Sequence, residues 1–390
     1  TATSALSVTG LTVVDTGTHW NSFGQVIIML LMEIGGLGIM FLTTMLWSLL
    51  GLKINMGNQV LLMQEQNYFS FSGVVKLVKN AVILTASIEF IGIVLIFLTL
   101  PPIRSEGIGS GLFWSLFHGI SAFTGAGFSL CSNSLESFAA YPCFNLVIVL
   151  LISLGSLGFL VLSELAQHKK PLTLHTKLVL VVTLSLTLVG TLSFWLLENQ
   201  NSLAGQSLPN QLINSLFQGV TRTAGFTNIP IGEWSVAFVF LMILLMFIGA
   251  SPGSVGGGLK TTTFAIILLT ILSLLRGHKY VVIFQRELDQ SLIFRAFLIA
   301  IIMLIIICSS TFLLLLVEKQ DFLASLFEVT SALSTVGLSL GITSQLSFFG
   351  KILLGILMFI GKIGLLSLLL FTMGSKTRGW RYMKEDVLIG

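Results

Sequence analysis

A chain of 390 residues that is 54% hydrophobic and 9% charged, with a mean hydropathy of +0.98, falls far below the roughly 25% charged residues of a soluble domain. This composition excludes a water-soluble enzyme and points to an integral membrane protein. The net charge of +4 sits between apolar runs, where it orients a chain in a bilayer rather than binding nucleic acid.

In chain order, the first landmark is Val8-Thr9-Gly10-Leu11-Thr12, close behind the opening Thr1. Residues 25–50 are apolar except for Glu33, long enough to span, and carry Gly35-Gly36-Leu37-Gly38, a pattern suited to close helix packing. A polar stretch follows over residues 53–79. Residues 80–100 form a second span with one charge, Glu89, ended by Pro101-Pro102. Residues 109–123 are apolar but too short to cross, and they run into Gly125-Ala126-Gly127-Phe128-Ser129, which marks a re-entrant segment. Residues 144–163 are the next full span.

The same order returns twice. A span at 178–197 precedes a short helix at 209–222, with Pro209 where a helix start favours it, then Thr223-Ala224-Gly225-Phe226-Thr227 and a long span from Trp234. A span at 296–317 precedes a short helix at 322–334, then Thr335-Val336-Gly337-Leu338-Ser339 and a span at 346–373. Each echo reads Gly, then Leu or Phe, then Thr or Ser, and the glycines lie 117, 98 and 112 residues apart (10 to 127, 127 to 225, 225 to 337). That period indicates a fourfold duplication.

The expected fold is therefore an all-α integral membrane protein. Four tandem units of helix, pore half-helix, filter loop and helix surround a central pore, with units at residues 1–55, 56–175, 176–285 and 286–390. The first unit is expected to lack its leading helix and most of its half-helix in this sequence. A mid-segment glycine frees backbone angles closed to other residues, so consecutive carbonyls can face one axis. Four such segments make a ring of oxygens able to replace the water shell of a cation, whereas one alone would be only a tight turn. Half-helices that end at the ring add partial negative charge there; an anion carrier would need half-helix starts instead.

The third unit's long span is interrupted over residues 249–263, read Gly-Ala-Ser-Pro-Gly-Ser-Val-Gly-Gly-Gly-Leu-Lys-Thr-Thr-Thr. Five glycines and a proline cannot continue a helix, and bare backbone at membrane depth must be buried in protein or line a water-filled cavity. Leu259 separates Gly258 from Lys260, so the Gly-Lys adjacency of a phosphate-binding P-loop fails. The segment reads as a flexible plug below the ring or as a plain hinge.

Arg222, just before the third glycine segment, needs a partner at that depth, and Glu328 in the fourth half-helix is the candidate, the two supporting the filter. Lys362, between Gly361 and Gly364, faces the cavity near residues 249–263 or snorkels outward. His118 reads as a packing residue, and the 30 Phe suit lipid contact and interface anchoring. Cys131 and Cys143 either bridge an outer loop or remain thiols. No acid, base and nucleophile converge as an enzyme requires. Most of the 20 Lys and Arg fall in the loops opposite the glycine segments, which puts those segments on the outer side, beneath an acidic face containing Asp15, Glu136 and Glu233.

The four glycine segments, the helix, half-helix, helix order and the interrupted span at 249–263 together resemble the Trk/Ktr/HKT superfamily of potassium-uptake proteins. The compact length and the closing residues 385–390 are most similar to its bacterial Ktr membrane subunits, and the resemblance covers essentially the whole chain. It implies a multi-pass protein of the cell membrane that takes up K+, stimulated by Na+ in the manner of a symporter. It also implies a homodimer with one pore per subunit and a cytosolic, KtrA-like regulatory ring, which alone binds nucleotide (ATP or ADP). Carried onto this sequence, the K+ filter is Val8, Thr9, Gly10, Gly125, Ala126, Gly127, Thr223, Ala224, Gly225, Thr335, Val336 and Gly337. The gate is Gly249, Ser251, Gly253, Gly256, Gly257, Gly258 and Lys260, with Lys362 standing where relatives generally carry Arg, which implies a weaker gate contact. One glycine per segment further implies moderate discrimination of K+ from Na+.

Overall fold

A computed structural model describes residues 1–38, 74–100, 107–167, 171–278 and 280–364, and these are mostly helical, with a single short hairpin among them. Short helices α1 (Ala2–Ser7) and α2 (Thr16–His19) precede α3 (Ser22–Leu37). Then come α4 (Val74–Thr99), α5 (Ile108–Phe123), α6 (Pro142–Leu157), α7 (Phe159–Ala166), α8 (Leu174–Glu198), α9 (Leu208–Thr221), α10 (Val236–Phe247) and α11 (Thr261–Leu275). A hairpin of β1 (Val282–Ile283) and β2 (Arg286–Glu287), paired Val282 to Glu287, leads to α12 (Gln290–Val317), α13 (Phe322–Leu333) and α14 (Phe348–Ile363). The helices begin where local chemistry satisfies their free N–H groups. Asn21, Thr173, Ser235, Asp289, Asp321 and Ser347 cap six of them through side-chain oxygens, and Pro142 and Pro209 sit in first turns that need no such bond.

Residues Asn80–Thr99 of α4, α8 and α12 are each long and apolar enough to cross a membrane, with mean hydropathies of 2.6, 2.1 and 2.9. Only 28% of each is buried within the protein, which leaves the remaining surface for lipid. Each long helix is followed by a short one, a glycine segment and another apolar helix: α4, α5, α6; α8, α9, α10; α12, α13, α14.

One expected span is corrected, and two others are described only in part. Residues 144–163 are not one straight helix: α6 and α7 meet at 104° across Gly158, whose φ of +92° is open to glycine but strained for other residues. A methyl carbon placed there would lie 2.6 Å from the Pro252 carbonyl oxygen, so the bend exists because the glycine-rich loop passes against it. Helix α3 ends at Gly38, and the rest of the expected 25–50 span lies outside the described residues. Helix α14 likewise ends before Gly364 (φ +83°), and residues 365–390 also lie outside. Close packing does hold at Gly35 and Gly36, where added methyl carbons would strike the Leu6 carbonyl oxygen at 2.0 Å and the Thr124 side chain at 2.6 Å.

The phenylalanines divide between lipid and core, a correction to the lipid-facing expectation. Phe23, Phe90 and Phe348 are exposed, but Phe117, Phe123, Phe128, Phe144, Phe194, Phe217, Phe226, Phe238 and Phe327 are fully buried. They fill the clusters that join α5, α6 and α9, and α8, α10 and α13, behind the glycine segments. Burying an aromatic side chain contributes about 1.5–3 kcal/mol against water, but in lipid the gain comes from close packing instead.

Candidate functional site

Helices α1, α5, α9 and α13 each end immediately before a glycine segment. In three of them a serine six residues before the glycine turns the chain. The carbonyls of Ser4, Ser121 and Ser331 accept from the N–H groups of Thr9, Ala126 and Val336 at 2.8, 2.9 and 2.9 Å. The hydroxyls of Ser4 and Ser331 also accept from Gly10 and Gly337 N–H, both at 3.0 Å. In the third segment that position is Gly219, where Thr191 occupies the space a serine would need, and Ala224 N–H donates to the Thr221 carbonyl instead. Val8 (φ +58°) and Thr335 (φ +50°) are β-branched yet left-handed, a conformation that persists only when its surroundings enforce it.

The four glycines close a ring. A methyl carbon on Gly10 would fall 2.3 Å from the Ala126 carbonyl oxygen, one on Gly127 2.4 Å from Gly225 Cα, one on Gly225 3.0 Å from the Val336 carbonyl oxygen, and one on Gly337 1.8 Å from the Thr9 carbonyl oxygen. Each segment therefore touches the next through backbone alone, in the order first, second, third, fourth, first. Leu11, Phe128, Phe226 and Leu338, one residue on, are buried and anchor each segment from behind. Among the described residues no three His, Cys, Asp or Glu gather as metal ligands, so backbone and hydroxyl oxygens are what the ring offers a cation.

On its outer side the ring opens into a cavity of about 460 Å³ lined by all four glycines, by the hydroxyl-bearing Thr12, Ser129, Thr227 and Ser339, and by Asp15 and Glu136. Burial opposes ionisation of Asp15, but hydrogen bonds from Ser132, Thr18 and Gly17 outweigh it and hold its carboxyl below the usual range. Burial and the nearby charge of Glu233 push Glu136 up.

On the inner side lies the loop between α10 and α11. Its two limbs pair, Gly249 N–H donating to the Leu259 carbonyl at 2.9 Å and Leu259 N–H to the Phe247 carbonyl at 3.0 Å. Its crest rests under the ring: the Thr223 carbonyl oxygen lies 3.9 Å from a methyl carbon placed on Gly256, and the Val255 side chain lies 3.9 Å from one placed on Gly125. Three bonds tether it there and a fourth, from Lys260, braces the crest from within the loop. Lys362 Nζ donates to the Val255 carbonyl at 2.8 Å, Lys260 Nζ to the Gly256 carbonyl at 2.6 Å, Gly257 N–H to Thr335 Oγ1 at 2.7 Å, and Ser251 N–H to the Ser156 carbonyl at 3.1 Å. Ser251 Oγ also accepts from Thr261 Oγ1 at 3.0 Å, and the Gly253 carbonyl accepts from Phe159 N–H at 3.0 Å. Lys362 therefore faces this loop rather than snorkelling to the membrane surface.

The expected Arg222–Glu328 pair does not form. Arg222 donates to the Ile248 and Gly249 carbonyls at 2.6 and 3.2 Å, backbone oxygens released where α10 stops. A broken helix thus supplies the acceptors that a carboxylate was expected to provide. Glu328 instead accepts from Ser339 Oγ at 2.9 Å and from Thr343 Oγ1. His118, nine residues before Gly127 as Glu328 is before Gly337, holds the matching Ser129 hydroxyl at 3.1 Å and stacks on Trp114. Among the described residues Cys131, Cys143 and Cys308 form no disulfide, so the outer-loop bridge between Cys131 and Cys143 is not made. Sequence reading missed the Thr335 hydroxyl as a link from ring to loop, and the buried amides Asn145, Asn214, Gln218 and Asn228 that brace the third segment. The available signal was Asn145, Asn214 and Gln218 inside largely apolar helices, with Asn228 just past the third glycine.

The sequence profile of the TrkH family, described as cation transport proteins, matches residues 1–377. The chain belongs to this family. It is 40% identical, over its full length and 88% of the relative, to the Ktr system potassium uptake protein B of Bacillus subtilis (strain 168). It is 35% identical, over its full length and 88% of the relative, to the potassium/sodium uptake protein NtpJ of Enterococcus hirae. The crystal structure of the potassium transporter TrkH from Vibrio parahaemolyticus superposes with a TM-score of 0.74 at 20% identity, covering 96% of this chain and 77% of that one. This TrkH-family chain is thus a multi-pass membrane protein of Ktr type, a transporter and not an enzyme.

Proposed function

We propose that this chain is the ion-translocating subunit of a potassium-uptake system. In this reading K+ passes through the ring, coordinated by carbonyls of Val8, Thr9, Gly10, Gly125, Ala126, Gly127, Thr223, Ala224, Gly225, Thr335, Val336 and Gly337. The observation that carries it is the ring of four glycines, each packed backbone to backbone against the next. Such contact leaves carbonyls, not side chains, to face an ion. The names of the relatives, potassium uptake protein and potassium/sodium uptake protein, support K+ as the ion and Na+ as its co-ion or stimulant.

The loop at 249–263 acts as the gate: its crest lies against the inner face of the ring, held by Lys260, Lys362 and Thr335. A homodimer with one pore per subunit, and a cytosolic ring that binds ATP or ADP and biases the gate, complete the proposal. Expression in cells lacking their own K+ uptake, together with the regulatory partner, is expected to restore growth at limiting K+. No rescue by well-expressed protein in the membrane would overturn the reading.

A further inference from the structure

Glu328 is fully buried, and among the described residues its partners are two hydroxyls and no base. Ser339 Oγ reaches one carboxylate oxygen at 2.9 Å and Thr343 Oγ1 the other, so each oxygen has one donor, the arrangement that suits an ionised carboxylate. The Ser339 hydroxyl also accepts from Gly341 N–H at 3.0 Å and lies 3.1 Å from the Thr343 hydroxyl, so both hydroxyls and the carboxyl form one bonded group. Arg222, the buried cation in the neighbouring segment, is committed to the Ile248 and Gly249 carbonyls. An ionised group this deep is costly unless an opposite charge lies near it.

Ser339 is the way out of the isolation. It lines the outer cavity beside Gly337, so the carboxylate lies one hydroxyl away from the wall of the ring. The equivalent position in the second segment, His118, is neutral: its Nε2 accepts from Leu130 N–H at 3.4 Å, which leaves the proton on Nδ1, 3.0 Å from the Trp114 carbonyl. The surroundings of the ring are thus electrically unequal, with a carboxyl behind the fourth segment and an uncharged imidazole behind the second.

We infer that the counter-charge of Glu328 is the transported ion itself, and that this carboxylate sets the affinity of the outer end of the ring for a monovalent cation. Glu328 acts through the field it projects past Ser339 and does not coordinate the ion. This rests on the reading of the ring as the ion path.

The test is tracer flux into proteoliposomes holding the full-length chain, wild type or Glu328→Gln, Glu328→Asp and Glu318→Gln. Assembly of each is checked by size-exclusion chromatography. Loss of one unit charge about 12 Å from an ion on the ring axis, in a medium of effective dielectric near 20, corresponds to about a tenfold loss of affinity. Glu328→Gln is expected to raise the K+ concentration for half-maximal flux by about tenfold with maximal flux changed by less than about twofold. Glu328→Asp keeps the charge and is expected to stay within about threefold of wild type; Glu318→Gln, an outer carboxylate bonded to Ser347 away from the ring, leaves half-saturation unchanged. A merely structural role ranks the pair the other way, because Gln is the isostere and Asp is a methylene short. Wild-type half-saturation in Glu328→Gln, or a larger defect in Glu328→Asp than in Glu328→Gln, would overturn the inference while leaving the pore reading intact. If Glu328→Gln fails to assemble, near-wild-type affinity in Glu328→Asp sustains the inference and a tenfold loss ends it. Absence of wild-type K+ flux would remove the pore reading itself.

Discussion

At Gly337 there is no space for a methyl group. Its φ of +95° disfavours any side chain, and a Cβ would lie 1.8 Å from the Thr9 carbonyl oxygen, so either that carbonyl or the whole fourth segment must move. Gly337→Ser is expected to lower the K+ over Na+ flux ratio by about tenfold, the change that 1.4 kcal/mol produces. Gly225 has neither a positive φ nor a contact under 3.0 Å, so Gly225→Ala is expected to be the milder substitution. Paired K+ and Na+ flux on both variants checks the ranking; equal or reversed effects would remove these glycines from the ion path. The same scale shows what a sequence can and cannot reveal. The need of Gly337 for freedom was legible from its place in a repeated Gly-Leu/Phe-Ser/Thr pattern. The partner of Arg222 was not, because the Ile248 and Gly249 carbonyls become free only after α10 breaks and folds back beside it.

Among the elements, half-helices read well and bends did not. Residues 109–123, 209–222 and 322–334 were recognisable because each is largely apolar, too short to cross, and closed by Ser or Thr before a glycine; the observed α5, α9 and α13 differ by no more than a residue at each end. The α6–α7 bend left no trace in hydropathy, since residues 144–163 carry no charge and are mostly apolar, and the loop that lies against the bend at Pro252 is distant in sequence. Gly158→Ala is accordingly expected to destabilise by about 1–3 kcal/mol, through strain at positive φ and displacement of the loop. A lowered melting temperature in detergent would register it, and an unchanged one would show that the bend tolerates a side chain. The loop gives the sharper test. Held by three tethers over backbone with little preference of its own, it needs only a small bias to leave the ring. Deleting residues 253–258, or replacing Lys362 by Met to remove its bond to Val255, is expected to raise K+ flux several-fold in the absence of the regulatory ring. The K+ over Na+ ratio should hold, because the ring lies outward of the loop. A plain hinge predicts lower flux or misfolding, and unchanged or lower flux on protein verified as folded and dimeric would rule out the plug.

For the whole molecule the decisive asymmetry is charge. The outer cavity carries Asp15 and Glu136 with Glu233 nearby, whereas the sequence order assigns most Lys and Arg to loops opposite the glycine segments. Arg276 is exposed at the end of α11; Lys169, Lys170, Lys279, Arg381 and Lys384 share that side by sequence and lie outside the described residues. Two forces produce such a bias. Insertion alone leaves bases on the cytosolic side, and that would say nothing of a partner. A soluble ring that docks there would also use the charge, and its affinity would then fall steeply with salt, because the Debye length shrinks from about 10 Å at 0.1 M to about 3 Å at 1 M. Reversing Lys169, Lys170, Arg276 and Lys279 to Glu is expected to abolish co-purification of a KtrA-like ring and to remove its effect on flux, while ring-free flux and ion selectivity stay as in the wild type. The wild-type complex should come apart as salt rises toward 1 M. Co-purification unchanged by the four reversals and by salt would mean that insertion alone explains the bases and that the ring is held by apolar contacts elsewhere.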